Sequence, residues 1–305
     1  MHGRSTIGVL LACTFLGCGG QDVTEGPPSA AAPEVPAIGP GTVASADGVE
    51  IAYTVHRVDR PALVLVHGWM CDQSYWDEQI AGLVERFGVV TVDVAGHGTS
   101  AANRESWTIS SLGGDVAAVI NKLHLDDVIV VGHSMGGLVA LDVARQMPGA
   151  VIGVIGVDTL QDVDAERDVA ETEKFLKALR EDFKPTCDGF VRSMFVEGTD
   201  PALVDRIAID MCSGPSEVGA ALIQAYVEYD HSQALADAEV PVRVINSDLW
   251  PTDLAGNQEL ADFEATIFEG RGHFLMQEAA EELTGSIIDH ALEILAAEPE
   301  RDGSS

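Results

Sequence analysis

Four β-branched residues, Val128-Ile129-Val130-Val131, lead without a break into Gly132-His133-Ser134-Met135-Gly136-Gly137. No other stretch restricts the fold as tightly. The β-branched run fits a buried parallel strand, and the residues after Ser134 (Leu138, Val139, Leu141, Val143, Ala144) read as a packed helix. Between them lies Gly-x-Ser-x-Gly. In a strand-turn-helix corner of this kind the serine is forced into a strained backbone conformation. Side chains on the flanking glycines would collide with the strand or the helix. The hydroxyl then projects above the C-terminal edge of a sheet, over a helix N-terminus that favours negative charge. Away from that context the same residues would read as an ordinary glycine-rich turn.

The chain has 305 residues, 46% of them hydrophobic, which suffices for one large core with an insertion. It carries 17 basic against 49 acidic residues, a net charge of −32. That balance argues against binding nucleic acid, or anionic lipid headgroups, through a basic face, and favours a soluble monomer.

Residues 1–18 read as an export signal: Arg4, then an apolar stretch from Ile7 to Leu16, too short for the roughly 20 residues that span a bilayer. Its end, Phe15-Leu16-Gly17-Cys18, resembles a bacterial lipoprotein processing site, which implies lipidation at Cys18. An ordinary secretory signal is the alternative, and Leu10-Leu11-Ala12-Cys13 is a competing site. Residues 19–41 hold five of the thirteen prolines with Gly, Ser and Ala, the composition of a flexible tether. A lipid-anchored protein needs such a spacer. The membrane is then contacted only through the N-terminal lipid, on the periplasmic or cell-surface side. Export permits a disulfide, and Cys187 and Cys212 lie in one segment, 25 residues apart. Cys71 would remain a free thiol. No cysteine or histidine spacing suggests a metal site, and no cofactor is expected.

From about Val43 strands and helices alternate. Strands are expected at Val49–Val58, Ala62–Val66, Val89–Val92, Val128–Val131, Val151–Val157, Val240–Ile245 and Ala265–Phe268. Helices are expected at Gln73–Phe87, Ile109–Leu123 and Met276–Ala297. This alternation implies an α/β, mostly parallel sheet covered on both faces. A charged, helix-rich stretch at about 160–235 interrupts it and suits a lid inserted over the sheet edge, leaving residues 42–305 as one domain.

This organisation resembles the α/β-hydrolase superfamily over roughly Val43 to Leu295. The resemblance rests on the serine corner, on His67-Gly68-Trp69, on Asp93-Val94-Ala95-Gly96-His97-Gly98-Thr99-Ser100, and on Gly270-Arg271-Gly272-His273-Phe274. It implies the doubly wound sheet with Ser134 as nucleophile of a Ser-His-Asp triad. Because the superfamily order is serine, acid, histidine, the base is His231, His273 or His290. His290, at helical spacing with Ile287 and Leu292, reads as a helix-surface residue. His273, in a glycine-flanked loop after a strand, sits where the resemblance places the base.

Three carboxylates compete for the acid. Asp248, just beyond a strand and before Pro251, ranks first; Asp158, at the end of the preceding strand, is second; Asp253, an N-cap candidate, is third. The oxyanion donors are the N–H of Met135 and, by resemblance, that of Trp69. His67, His97 and His133 are expected to fix loops. The implied reaction is hydrolysis of small or medium carboxylic esters. Lactonase, thioesterase, perhydrolase and carbon–carbon hydrolase chemistry fit the same triad, and a catalytically silent surface-binding fold is the alternative of another class.

Overall fold

The valine- and isoleucine-rich runs become strands of a single sheet in a computed structural model, which describes residues 36–166 and 168–297. Eight strands lie in the order β1-β2-β4-β3-β5-β6-β7-β8. They span Gly39–Ala44 (β1), Glu50–Arg57 (β2), Ala62–Val66 (β3), Gly88–Asp93 (β4), Val128–His133 (β5), Val151–Val157 (β6), Val242–Ser247 (β7) and Phe263–Phe268 (β8). β1 and β2 run antiparallel; every pairing from β4 to β8 is parallel. β3 to β7 are buried at every position, as strands covered by helices on both faces must be. The fold is thus a mostly parallel, doubly wound α/β sheet.

The helices flanking the sheet are α1 (Asp77–Leu83), α2 (Ile109–Leu123), α3 (Met135–Gln146), α9 (Leu254–Leu260), α10 (Leu275–Glu278) and α11 (Ala280–Ala297). Between β6 and β7 lie α4 (Val169–Glu181), α5 (Phe183–Arg192), α6 (Pro201–Met211), α7 (Ser216–Glu228) and α8 (His231–Ala236), within the stretch where the alternation was expected to break. Among the described residues no helix is long and apolar enough to cross a membrane. The export signal and Cys18 lie outside the described residues.

Three expectations change. Gly39–Gly41, read as the end of the tether, begin β1 instead, pairing with Val55, Thr54 and Tyr53 of β2. A Cβ on Gly41 would lie 2.6 Å from the Tyr53 ring, so its small size admits the aromatic neighbour. The Gln73–Phe87 helix divides into a 3₁₀ turn, Gln73–Trp76, and α1. His290 is buried, bonded to Thr266 Oγ1 at 3.0 Å and Glu293 Oε2 at 2.9 Å; the last helix packs that face against the sheet.

Candidate active site

Ser134 sits between β5 and α3 at φ 53° and ψ −119°, in a left-handed region that costs a non-glycine residue of order 1–3 kcal/mol. Its neighbours leave no slack. A Cβ on Gly132 would lie 2.1 Å from the Gly136 carbonyl oxygen, and one on Gly136 would lie 2.5 Å from that of Val66. The Thr159 hydroxyl donates to the Ser134 carbonyl at 2.8 Å. Thr159 in turn requires glycine at 137 and 156, where a Cβ would approach its methyl to 2.4 and 2.7 Å.

His273 Nδ1 donates to Asp158 Oδ2 at 2.5 Å. The other oxygen, Oδ1, accepts the Ser247 N–H at 2.6 Å, so both sides of a carboxylate that is 1% exposed are occupied. Asp158 follows β6 at φ 44°, a turn that aims its side chain along the sheet edge instead of continuing the strand. Asp248, ranked first from the sequence, is engaged elsewhere: its Oδ1 accepts the Gly270 N–H at 2.8 Å. This ties the turn after β7 to the loop after β8 and leaves the His273 ring to Asp158. Asp253 caps α9, accepting from Gly256 N at 3.1 Å, its expected structural role. His231, the other candidate base, bonds the Tyr226 carbonyl at 2.9 Å.

Three further histidines hold the walls. His67 Nδ1 donates to the Gly68 carbonyl and Nε2 accepts from Val94 N. His97 Nδ1 donates to the Ala95 carbonyl and Nε2 accepts from Met70 N. Each ring therefore serves as a neutral staple for the loop carrying Trp69. Burial depresses both, His97 to about 3. His133 Nε2 donates to the His273 carbonyl at 3.0 Å; burial, and next the charge of His273, keep it far below the ordinary histidine value.

The His97 shift sets a pH dependence. The unfolded chain binds this proton below about pH 6.5, whereas the folded chain refuses it until about pH 3. The histidine therefore destabilises the fold progressively as pH drops through that window. Urea denaturation between pH 7 and 4 is expected to show the slope, reduced in His97→Gln.

Ser134 and His273 face one cavity of about 240 Å³. Trp69, Met135, Trp250 and Phe274 line it from the sheet side; Phe190, Met194, Met211, Ile223 and Tyr226 line it from the insertion. Met135 opens α3, so its N–H belongs to the first turn and has no acceptor within the helix. Trp69 Nε1 donates to the Gly219 carbonyl of α7 at 2.9 Å, which fixes the indole beneath the insertion. A disulfide joins Cys187 of α5 to Cys212 at the end of α6, with Cα atoms 5.7 Å apart. Cys71 is free and buried. Cys212 adjoins Met211, and Cys187 lies one turn before Phe190, so the bridge joins two helices that wall the cavity. Replacing both cysteines with alanine is expected to lower stability by about 2–4 kcal/mol in denaturant titrations.

The sequence matches the Alpha/beta hydrolase family over residues 63–285. The chain belongs to that family. Among relatives of the hydrolase family, 3-oxoadipate enol-lactonase 2 of Acinetobacter baylyi is 27% identical over 223 residues, 72% of this chain and 83% of that protein. An esterase from Exiguobacterium antarcticum superposes with a TM-score of 0.74 at 21% identity, covering 82% of this chain and 98% of the other. The enol-lactonase from Burkholderia xenovorans gives 0.71 at 24% identity, covering 83% and 100%. At these identities the two structures speak for the shared fold.

Three contributors to this hydrolase-fold site escape sequence reasoning. Thr159 anchors the serine corner, as described. Trp250 stands edge-on to the His273 ring, centroids 5.3 Å apart. Glu278 braces the His273 loop. Only Glu278 left a local trace, five residues after the histidine at the start of the last helical stretch.

Proposed function

We propose that this chain is a serine hydrolase acting on carboxylic esters, with Ser134 as nucleophile, His273 as base and Asp158 as the orienting acid. The observation that carries this reading is the 2.5 Å bond from His273 Nδ1 to Asp158, set on the wall of the cavity that holds strained Ser134. With Nδ1 committed to Asp158, Nε2 is the nitrogen left to take the Ser134 proton. Oγ attacks the acyl carbonyl, and Asp158 stabilises the imidazolium that forms. The N–H groups of Met135 and Trp69 receive the developing oxyanion. Nε2 then protonates the departing alcohol, leaving an acyl-enzyme; water, activated by the same nitrogen, releases the acid.

A lactone is a cyclic ester and meets the same machinery, and the name of the Acinetobacter relative favours testing it second. The intact arrangement of serine, histidine, carboxylate and donors supports catalysis over a silent binding fold, since loss of function erodes such consistency. The insertion, which supplies six cavity-lining residues, Gln161 among them, acts as the lid that selects the acyl group. Its apolar wall suits small or medium uncharged acyl chains. The test is a panel of p-nitrophenyl esters from C2 to C12, with lactones, thioesters and amides alongside. The expected result is highest kcat/KM on short to medium esters or lactones. Turnover of none, with no fluorophosphonate labelling, would falsify the reading.

Ahead of the described residues, the sequence supports an exported protein held to a membrane by lipid on Cys18. Each buried CH₂ adds roughly 0.8 kcal/mol, so several acyl chains anchor firmly. Cys18→Ala is expected to release the protein into the soluble fraction or stall its processing. Mass spectrometry showing an unmodified N-terminus elsewhere on the mature chain refutes the anchor.

A further inference from the structure

The loop carrying the base has almost no freedom of its own, and one carboxylate supplies much of the restraint. Glu278, at the end of α10, accepts the Gly272 N–H on Oε2 at 2.9 Å and the Phe274 N–H on Oε1 at 3.2 Å. These are the amides on either side of His273. The His273 N–H is held by the Met194 carbonyl at 2.9 Å, and its carbonyl by His133 Nε2. Gly272 permits this convergence: a Cβ there would lie 2.7 Å from the Met194 oxygen and 2.8 Å from Glu278 Oε1. Glu278 does not line the catalytic cavity. It borders a separate groove of about 720 Å³, together with Gly270, Arg271 and Gln277.

We propose that Glu278 is a positioning residue for the base: its two oxygens grip the backbone on both sides of His273 and so fix the imidazole against Ser134 and Asp158. The assignment rests on the Ser134–His273–Asp158 reading. Only a carboxylate presents an acceptor on each of its two oxygens. A glutamine in its place turns an NH₂ donor toward one N–H donor. An aspartate keeps the charge but lacks the length to span both amides.

Glu278→Gln and Glu278→Asp test this in the full chain, with p-nitrophenyl butyrate as probe. Both variants lose about 10–100-fold in kcat, the scale of a misplacement near 1 Å, with KM within about threefold of the parent. Removing the negative charge also destabilises the imidazolium. The acid limb of kcat/KM therefore moves to lower pH in Glu278→Gln, and much less in Glu278→Asp. Folded variants with kcat within about threefold of the parent, or an acid limb identical in all three proteins, overturn the proposal. A readout on the parent alone guards against variants that do not fold. The Gly272 and Phe274 amides resist hydrogen exchange if Glu278 holds them, and prompt exchange of either overturns it. Hydrolysis that survives Ser134→Ala is a different failure, of the triad itself, and is read in the same assay.

Discussion

Ser134→Ala is expected to lower kcat for ester hydrolysis by about 10⁶, the loss that follows removal of a nucleophile acting as one unit with its base. Fluorophosphonate labelling should disappear with it. The fold is expected to persist, because alanine keeps the Cβ that serine already places at φ 53°, and the Thr159 bond reaches the backbone carbonyl, not the hydroxyl. Circular dichroism and thermal unfolding are expected to match the parent. His273→Ala is expected to lose a similar factor, and the double variant to be scarcely worse than either single one. Residual activity within tenfold of the parent in Ser134→Ala removes the serine from the mechanism.

Asp158→Asn is expected to lower kcat by about 10⁴. The amide presents a donor or a neutral acceptor where His273 Nδ1 now meets a carboxylate, so the ring takes the wrong tautomer and its charged form loses its partner. Asp248→Asn serves as the internal control. The asparagine carbonyl oxygen can still accept the Gly270 N–H that Asp248 Oδ1 accepts now, so kcat stays within about threefold of the parent. Steady-state kinetics on the two variants decide the assignment. A large loss confined to Asp248→Asn reverses it.

The contrast between these two aspartates marks what a linear reading of this chain can reach. The serine corner is encoded in about ten contiguous residues, strand, glycines, serine and helix, so a local reading finds it. His273 also stands in a local signature, a glycine-flanked loop beyond a strand. The acid has no local signature. Asp158 and Asp248 both follow parallel strands that pair with each other, and both precede His273 in sequence. Which one meets the imidazole depends on the left-handed turn at Asp158 and on the Ser247 N–H donated from the neighbouring strand. Neither is visible in composition or spacing. The same reason hides β1, whose strand character comes from pairing with β2 and not from its Gly-Pro-Gly start. It hides the burial of His290 as well. The Cys187–Cys212 bridge was legible, because an expected export signal and proximity within one segment were enough to suggest it.

The division of the cavity wall has a bearing on how this enzyme could be diversified. The proposed chemistry lies at the sheet edge, where glycines at 132, 136 and 137 admit no side chain. Phe190, Met211, Ile223 and Tyr226, which line the cavity from the insertion, stand on α5, α6 and α7. A directed-evolution library confined to Phe190, Met211, Ile223 and Tyr226 can therefore sample new acyl shapes without touching the reacting groups. Met194 belongs to both parts: it lines the cavity, and its carbonyl accepts the His273 N–H. Mutating it changes fit freely, but a proline at the next positions, or a one-residue deletion nearby, would shift that carbonyl and silence the whole library.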